Sequence, residues 1–156
     1  MPSYPAFKGT VCFQPHVVIL GAGASRAAFP NGDANGTKLP LMTDFVEIVG
    51  LGDLLERNGL DYRNKNFETL YDEIVAVRGA DSFTRILNER IYEYFAGLQI
   101  PDEPTLYDYL VLSLRGKDVI ATFNWDPFLA LAYQRNYHVG EMPHILFMHG
   151  NVQVGV

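Results

Sequence analysis

Apolar positions along this chain follow two rhythms. Val17-Val18-Ile19-Leu20, Val119-Ile120-Ala121 and Ile145-Leu146-Phe147-Met148 are uninterrupted short runs. Runs of that length, rich in β-branched residues and ending in polar or glycine residues, predict strands at 17–20, 119–123 and 145–148. With no polar alternation, Val17 to Leu20 is expected to be buried on both faces of a parallel sheet. Between the first two runs the rhythm changes to i, i+3, i+4. Phe45, Ile48 and Val49, then Phe67, Leu70, Tyr71 and Ile74, each predict one buried helix face, and Gly79 predicts a stop. Behind a cap at Asp81 or Ser82, the series Phe83, Ile86, Leu87, Ile91, Tyr94, Phe95 forms an apolar stripe that predicts a third helix. Pro104 is expected to open a further helix carrying Leu106, Leu110 and Leu114, closed by Gly116. The pattern therefore predicts an α/β domain with a core at 16–150 and a helical insertion at about 43–116. Residues 1–16 are irregular, and the turn-forming polar segment 30–38 predicts an exposed, mobile loop, either a lid or a plain connection.

Composition narrows the class. At 156 residues and 48% hydrophobic the chain is long enough for a single domain with its own core, which we take as residues 1–156. A net charge of -6 without a Lys/Arg run argues against a nucleic-acid surface, whose affinity comes from clustered cations. One cysteine, Cys12, allows no internal disulfide and no multi-cysteine zinc site, so no metal is expected and a reducing cytoplasm is. The opening Met1-Pro2-Ser3-Tyr4-Pro5 has no basic or apolar leader region, and no run approaches the ~20 apolar residues of a bilayer span.

Candidate chemistry lies at the strand exits. Gly21-Ala22-Gly23-Ala24-Ser25 follows the first run, Thr122-Phe123-Asn124-Trp125-Asp126 the second, and His149-Gly150 the third. In an open parallel sheet these exits line up where such sheets bind ligands. Gly21 is expected to permit a tight turn and Gly23 a close ligand approach, ahead of a helix whose free N–H groups suit a diphosphate. A dehydrogenase fingerprint is disfavoured: Arg26 stands where its third glycine belongs, and 39–43 before Asp44 does not read as a strand. Asp126-Pro127 is a good helix start, so Asp126 has a capping reading beside a ligand-binding one. Asn124 can both donate to and accept from a ligand, Trp125 is either a packing anchor or a pocket wall, and His149 can serve as a base near neutral pH. His16, His138 and His144 read as surface or structural.

Taken as a set and in this order, the three motifs resemble the SIR2 (sirtuin) superfamily, with its Gly-Ala-Gly-x-Ser turn, Thr-x-Asn-x-Asp segment and His-Gly pair. The likeness runs from Val17 to Gly150, with Pro40 suggesting the family's cofactor-loop proline. It is nearer to bacterial SIR2-like domains, commonly NAD-degrading effectors of antiphage defence, than to protein deacetylases. The resemblance implies a Rossmann-like, NAD-binding sheet, C-terminally incomplete because the family fold continues past the His-Gly strand. It implies that Gly21, Ala22, Gly23 and Ser25 hold the NAD diphosphate and adjoining ribose. Asn124 would hold the nicotinamide ribose and an attacking water, Asp126 would face the carboxamide, and His149 would be the general base. NAD is then a substrate, cleaved to nicotinamide and ADP-ribose. The alternative is a non-catalytic ADP-ribose-binding or scaffold domain. An unpaired apolar edge at 145–148 would favour a homo-oligomer or a protein partner.

Overall fold

The computed structural model describes residues 14–153; the expectations for Cys12 and for the first residues lie outside it. The chain runs β1 (Val17–Leu20), α1 (Ala22–Ala28), α2 (Phe45–Val49), α3 (Gly52–Arg57), α4 (Phe67–Arg78), α5 (Ser82–Ala96), α6 (Leu106–Ser113), β2 (Val119–Thr122), α7 (Phe128–Asn136) and β3 (His144–Phe147). The α/β class expected from the pattern is what forms. The three strands make one parallel sheet in the order β1-β2-β3, with Val17 opposite Val119 and Val119 opposite His144. All three therefore leave the sheet at the same end, carrying their motifs with them. Among the described residues, no helix is long and apolar enough to cross a membrane.

One expectation about the sheet is overturned. Val18, Ile120 and Ile145 share the covered face with Leu20 and Thr122, but Val17 is 65% and Ile19 70% exposed. The described residues cover the sheet on one side only. An unbroken apolar run records what each side chain is, and it cannot report whether a layer lies over both faces.

Helices form where caps and stripes agree. Asn66 Oδ1 accepts from Glu68 N at the start of α4, and Asp81 Oδ1 accepts from Thr84 N at the start of α5. Of the two caps considered for α5, Asp81 is the one used. The buried series Phe67, Leu70, Ile74 and Phe83, Leu87, Ile91, Phe95 follow the expected stripes, with Ile86 left 44% exposed, and Gly79 ends α4 at φ +60. α6 departs from its expected face. Thr105, not Pro104, caps it, in a box with Asp108, and it buries Tyr107, Asp108 and Val111 while Leu106 is 58% exposed. Asp108 decides that orientation, because α7 supplies its partners: the Arg135 guanidinium and, at 2.7 Å, Asn136 Nδ2. Both can be met only if Asp108 faces inward. Desolvation would raise the Asp108 pKa, but Arg135, Thr105 and Asn136 hold it well below the usual carboxylate range. α3 has no counterpart in the expected helices.

The 30–38 segment is not the free loop its composition predicts. Asp33 is buried; its Oδ1 accepts from Asn35 N and Thr37 N at 2.8 Å, and its Oδ2 from Gln99 N at 3.0 Å beyond α5. Gly32, at φ +91, turns so tightly that a Cβ would lie 2.6 Å from Thr37 O. Tyr94 of α5 donates its hydroxyl to Lys38 O. A turn-forming sequence thus becomes a fixed strap, because its acceptor is buried against a distant backbone.

Candidate active site

The β1 exit opens directly into α1. Gly21 is extended at φ -125 and ψ -179, a conformation open to any residue, and a Cβ on Gly21 or on Gly23 would meet nothing within 4 Å. Neither internal packing nor backbone strain demands these glycines. They leave bare backbone beside open space, so the tight-turn reason for Gly21 is corrected while the close-approach reason for Gly23 stays compatible with the geometry. Arg26, which breaks the dinucleotide fingerprint, pairs with Asp44, whose Oδ1 also accepts from Leu41 N at 2.6 Å. The pair secures the segment that carries Leu39, Pro40 and Met42.

The β2 exit is shaped by its own side chains. Thr122 Oγ1 accepts from Asn124 N at 3.1 Å, turning the chain so that Asn124 and Asp126 are buried and Phe123 is half-exposed. Asp126 Oδ1 accepts from Phe128 N at 3.2 Å ahead of α7, but the cap position itself falls on Pro127, so the expected start, with Asp126 as cap and Pro127 as first helical residue, is shifted by one residue. Its other oxygen accepts from the hydroxyl of Ser25, Oγ to Oδ2 2.6 Å, so Asp126 joins the start of α7 to the site. Burial pushes its carboxyl up to about 6, against the lowering pull of the Ser25 and Phe128 hydrogen bonds. Asn124 Nδ2 donates to Ser25 Oγ at 2.8 Å, while Asn124 Oδ1 is buried without a partner among the described residues. Trp125 serves in both of the ways considered: it packs edge-on against Phe45 and Phe95, and it lines the cavity.

The β3 exit brings His149 to the same place. Its ring is exposed and packs edge-on against Phe123, centroids 5.1 Å apart. Asn151 ties this exit to the previous one, Nδ2 donating to Asp126 O at 2.6 Å. Of the other histidines, His16 is structural: its N and Nδ1 approach Asp118 Oδ1 at 2.8 and 3.0 Å, joining the entrances of β1 and β2.

A cavity of about 440 Å³ lies where the three exits meet, lined by Ala22, Ser25, Asn124, Asp126 and His149. Gly21 and Gly23 belong to the same turn but do not line it. Its volume falls within the range of small-molecule sites. The remaining wall comes from the helical insertion, with Phe45, Phe67, Tyr71 and Phe95 as aromatic surface and Glu68 and Asp72 as carboxylates. Among the described residues no Lys or Arg lines it. These wall residues carried no signal beyond their helical spacing. Tyr107 was also missed: its hydroxyl lies 2.7 Å from Ser25 Oγ and 3.4 Å from Asn124 Nδ2. Burial and the neighbouring Asp126 charge push the Tyr107 phenol above its usual range.

A second cavity of about 460 Å³ shares Tyr71, Phe95, Trp125 and His149 with the first and extends to Asn88 and Asn151. His149 thus stands on the border of both. Compared with protein-family models, curated proteins and solved structures, the chain matches none, so the reading of this site rests on its own geometry.

Proposed function

We propose that this chain is a SIR2-like NAD hydrolase, or the NAD-binding portion of one, built on a Rossmann-like sheet and working in the cytoplasm. The observation that carries the reading is Asn124 Oδ1, a buried acceptor without a partner among the described residues, on a side chain that lines the cavity where all three strand-exit motifs meet. A buried carbonyl oxygen left unpaired costs about 1–3 kcal/mol, so it calls for a donor. A ribose hydroxyl or a bound water supplies one.

The chemistry suits these side chains. In NAD the bond between nicotinamide and ribose breaks with its electron pair leaving on the nicotinamide nitrogen, which becomes neutral. The ribose carbon gains oxocarbenium character and is taken by water. Asn124 Oδ1 holds the water or the ribose hydroxyl in place, and the His149 imidazole accepts the proton that the water gives up. Nicotinamide leaves as a neutral group, so no strong acid is needed. The cavity carries carboxylates at Glu68, Asp72 and Asp126 and, among the described residues, no Lys or Arg, a balance that favours a cationic ring and a developing positive centre over an extra phosphate.

The second reading is a domain that binds ADP-ribose without turnover. It is favoured by His149, which is exposed and has no hydrogen bond among the described residues to orient it as a base. To separate the two, the chain is incubated with NAD and released nicotinamide is followed over time. The hydrolase reading expects turnover that falls about 10²-fold or more in His149→Ala and in Asn124→Ala. If the native chain releases nothing, titration with ADP-ribose decides: saturable binding lost in Asn124→Ala supports the binder, and no binding sinks both.

A further inference from the structure

Asn124 has the composition of a ligand-binding residue, but which end of its amide faces the cavity is decided elsewhere. Ser25 Oγ lies within hydrogen-bonding distance of three groups: Asp126 Oδ2 at 2.6 Å, Tyr107 OH at 2.7 Å and Asn124 Nδ2 at 2.8 Å. A hydroxyl has one proton and two lone pairs. An ionised carboxylate can only accept, so the Ser25 proton goes to Asp126. The two lone pairs are then filled by one amide hydrogen of Asn124 and by the phenolic proton of Tyr107. The Tyr107 oxygen lies 3.4 Å from the same nitrogen, on the same side as Ser25 Oγ. The amide nitrogen is thereby held against Ser25 inside the protein, and Oδ1 is left without a partner among the described residues on a side chain that lines the cavity. Turning the amide over would set Oδ1 against Ser25 Oγ, whose proton is already committed, and would bury an unpaired NH₂ instead.

Tyr107 is well placed to hold this arrangement. It is 3% exposed, packs edge-on to Phe29 at 5.8 Å, and sits in the first turn of α6 between the halves of the Thr105–Asp108 capping box. Arg135 of α7 grips Asp108 from the other side. The hydroxyl is fixed by a helix pair whose only other contribution to the network among the described residues is the Phe128 N–H that Asp126 accepts.

We propose that Tyr107 is a positioning residue, which through Ser25 and the Asn124 amide nitrogen holds Asn124 Oδ1 toward the cavity as an acceptor for a hydroxyl or water of the ligand. The effect on turnover rests on the NAD-hydrolase reading; the amide orientation does not. The test compares the native chain with Tyr107→Phe, Asn124→Ala and the double variant, measuring nicotinamide release and, in ¹⁵N-labelled protein, the Asn124 side-chain amide signal, assigned by its loss in Asn124→Ala.

Tyr107→Phe is expected to lower kcat about 10- to 100-fold while KM for NAD stays within about threefold, because misplacement of a bound group costs rate more than affinity. In the Asn124→Ala background the same substitution is expected to cost nothing further, since its effect passes through that amide. The native Asn124 NH₂ should exchange slowly with water and become fast-exchanging in Tyr107→Phe. Equal losses in both backgrounds, a kcat within twofold of native, or an unchanged amide signal would each overturn the proposal. If Tyr107→Phe does not fold, Ser25→Ala, which removes the shared hydroxyl, is put through the same three comparisons. A native chain with a protected amide and no turnover sinks the hydrolase reading and leaves the positioning role standing; a freely exchanging native amide sinks the positioning role itself.

Discussion

Asp126 is the residue whose environment departs furthest from its sequence reading. As a helix cap it would be an ordinary exposed carboxylate, yet it is 4% exposed and its pKa is raised to about 6. The titratable side chains around it are Tyr107 from α6 and, lining the same cavity, Glu68 and Asp72 of α4 and His149. A folded pKa above the ordinary 3.8 means that the folded state takes up a proton more readily than the unfolded one. This contribution to stability is complete below pH 3.8 and is lost as pH rises through 6, a change of about 3 kcal/mol. Asp126→Asn lacks it. Urea unfolding from pH 3 to 8 should therefore show native stability falling by about 3 kcal/mol relative to Asp126→Asn between pH 3 and 7, then levelling. A difference that does not vary with pH would refute the burial of this charge. The altered hydrogen bond to Ser25 adds only a constant offset. Asn124, Asp126 and His149 were legible as candidates because each stands at a strand exit. Tyr107 was not: its spacing in α6 is that of any core aromatic, and its hydroxyl acquires meaning only from Ser25, distant in sequence.

The strap at 30–38 and the α6–α7 pair show how single carboxylates organise whole segments. Asp33 terminates three backbone N–H groups, and although desolvation alone would raise its pKa, those donors bring it below the ordinary value. Hydrogen bonds to a charged group contribute about 1.5–3 kcal/mol. Asp33→Ala should lose about that much in denaturant unfolding and make 30–38 the first site of limited proteolysis, with ligand binding weakened because Leu39 and Pro40 of the cavity wall follow directly. Unchanged cleavage would show that the strap is held by other means. Asp108 has a larger part, since it joins the α6 cap to Arg135 and Asn136. Arg135 is part-exposed and keeps carbonyl partners at Pro101 and Glu103, so the loss is that of hydrogen bonds to a charged group, about 1.5–3 kcal/mol. Asp108→Ala is expected to lower stability by that amount and to loosen Tyr107 as well, seen as faster Asn124 side-chain exchange; a loss below 1 kcal/mol would refute it. Strand positions and the stripes of α4 and α5 could be taken from periodicity because both faces of each argument, spacing and chemistry, agree locally. The face of α6 could not, because its partner Arg135 lies in another helix.

Among the described residues the sheet is covered unevenly. Helices cover one side of the sheet, while Val17, Ile19, Leu146 and Met148 are exposed on the other or at its exit, each by more than half. β1 and β3 are both edges of the sheet among the described residues, whereas the pattern pointed to the 145–148 edge alone. Exposed apolar area of this kind favours association. Sedimentation across a concentration series should show self-association that is abolished in the double variant Ile19→Lys/Leu146→Lys. Its melting temperature should stay near that of the native chain because both side chains already face outward. A native chain that stays monomeric throughout would count against this.

The order of strands and helices, the burial of their stripes and the convergence of three motifs follow from local pattern, because period, cap and strand-exit chemistry are short-range properties written in neighbouring residues. Parallel register then brings Ser25, Asn124 and His149 to one end. The orientation of the Asn124 amide, the raised pKa of Asp126, the fixing of the 30–38 strap and the bare face of the sheet were settled by contacts between residues far apart in the chain. A hydrogen bond or a covering layer has no signature in the residues on either side of it, and its energy exists only once the fold has removed water from between the partners.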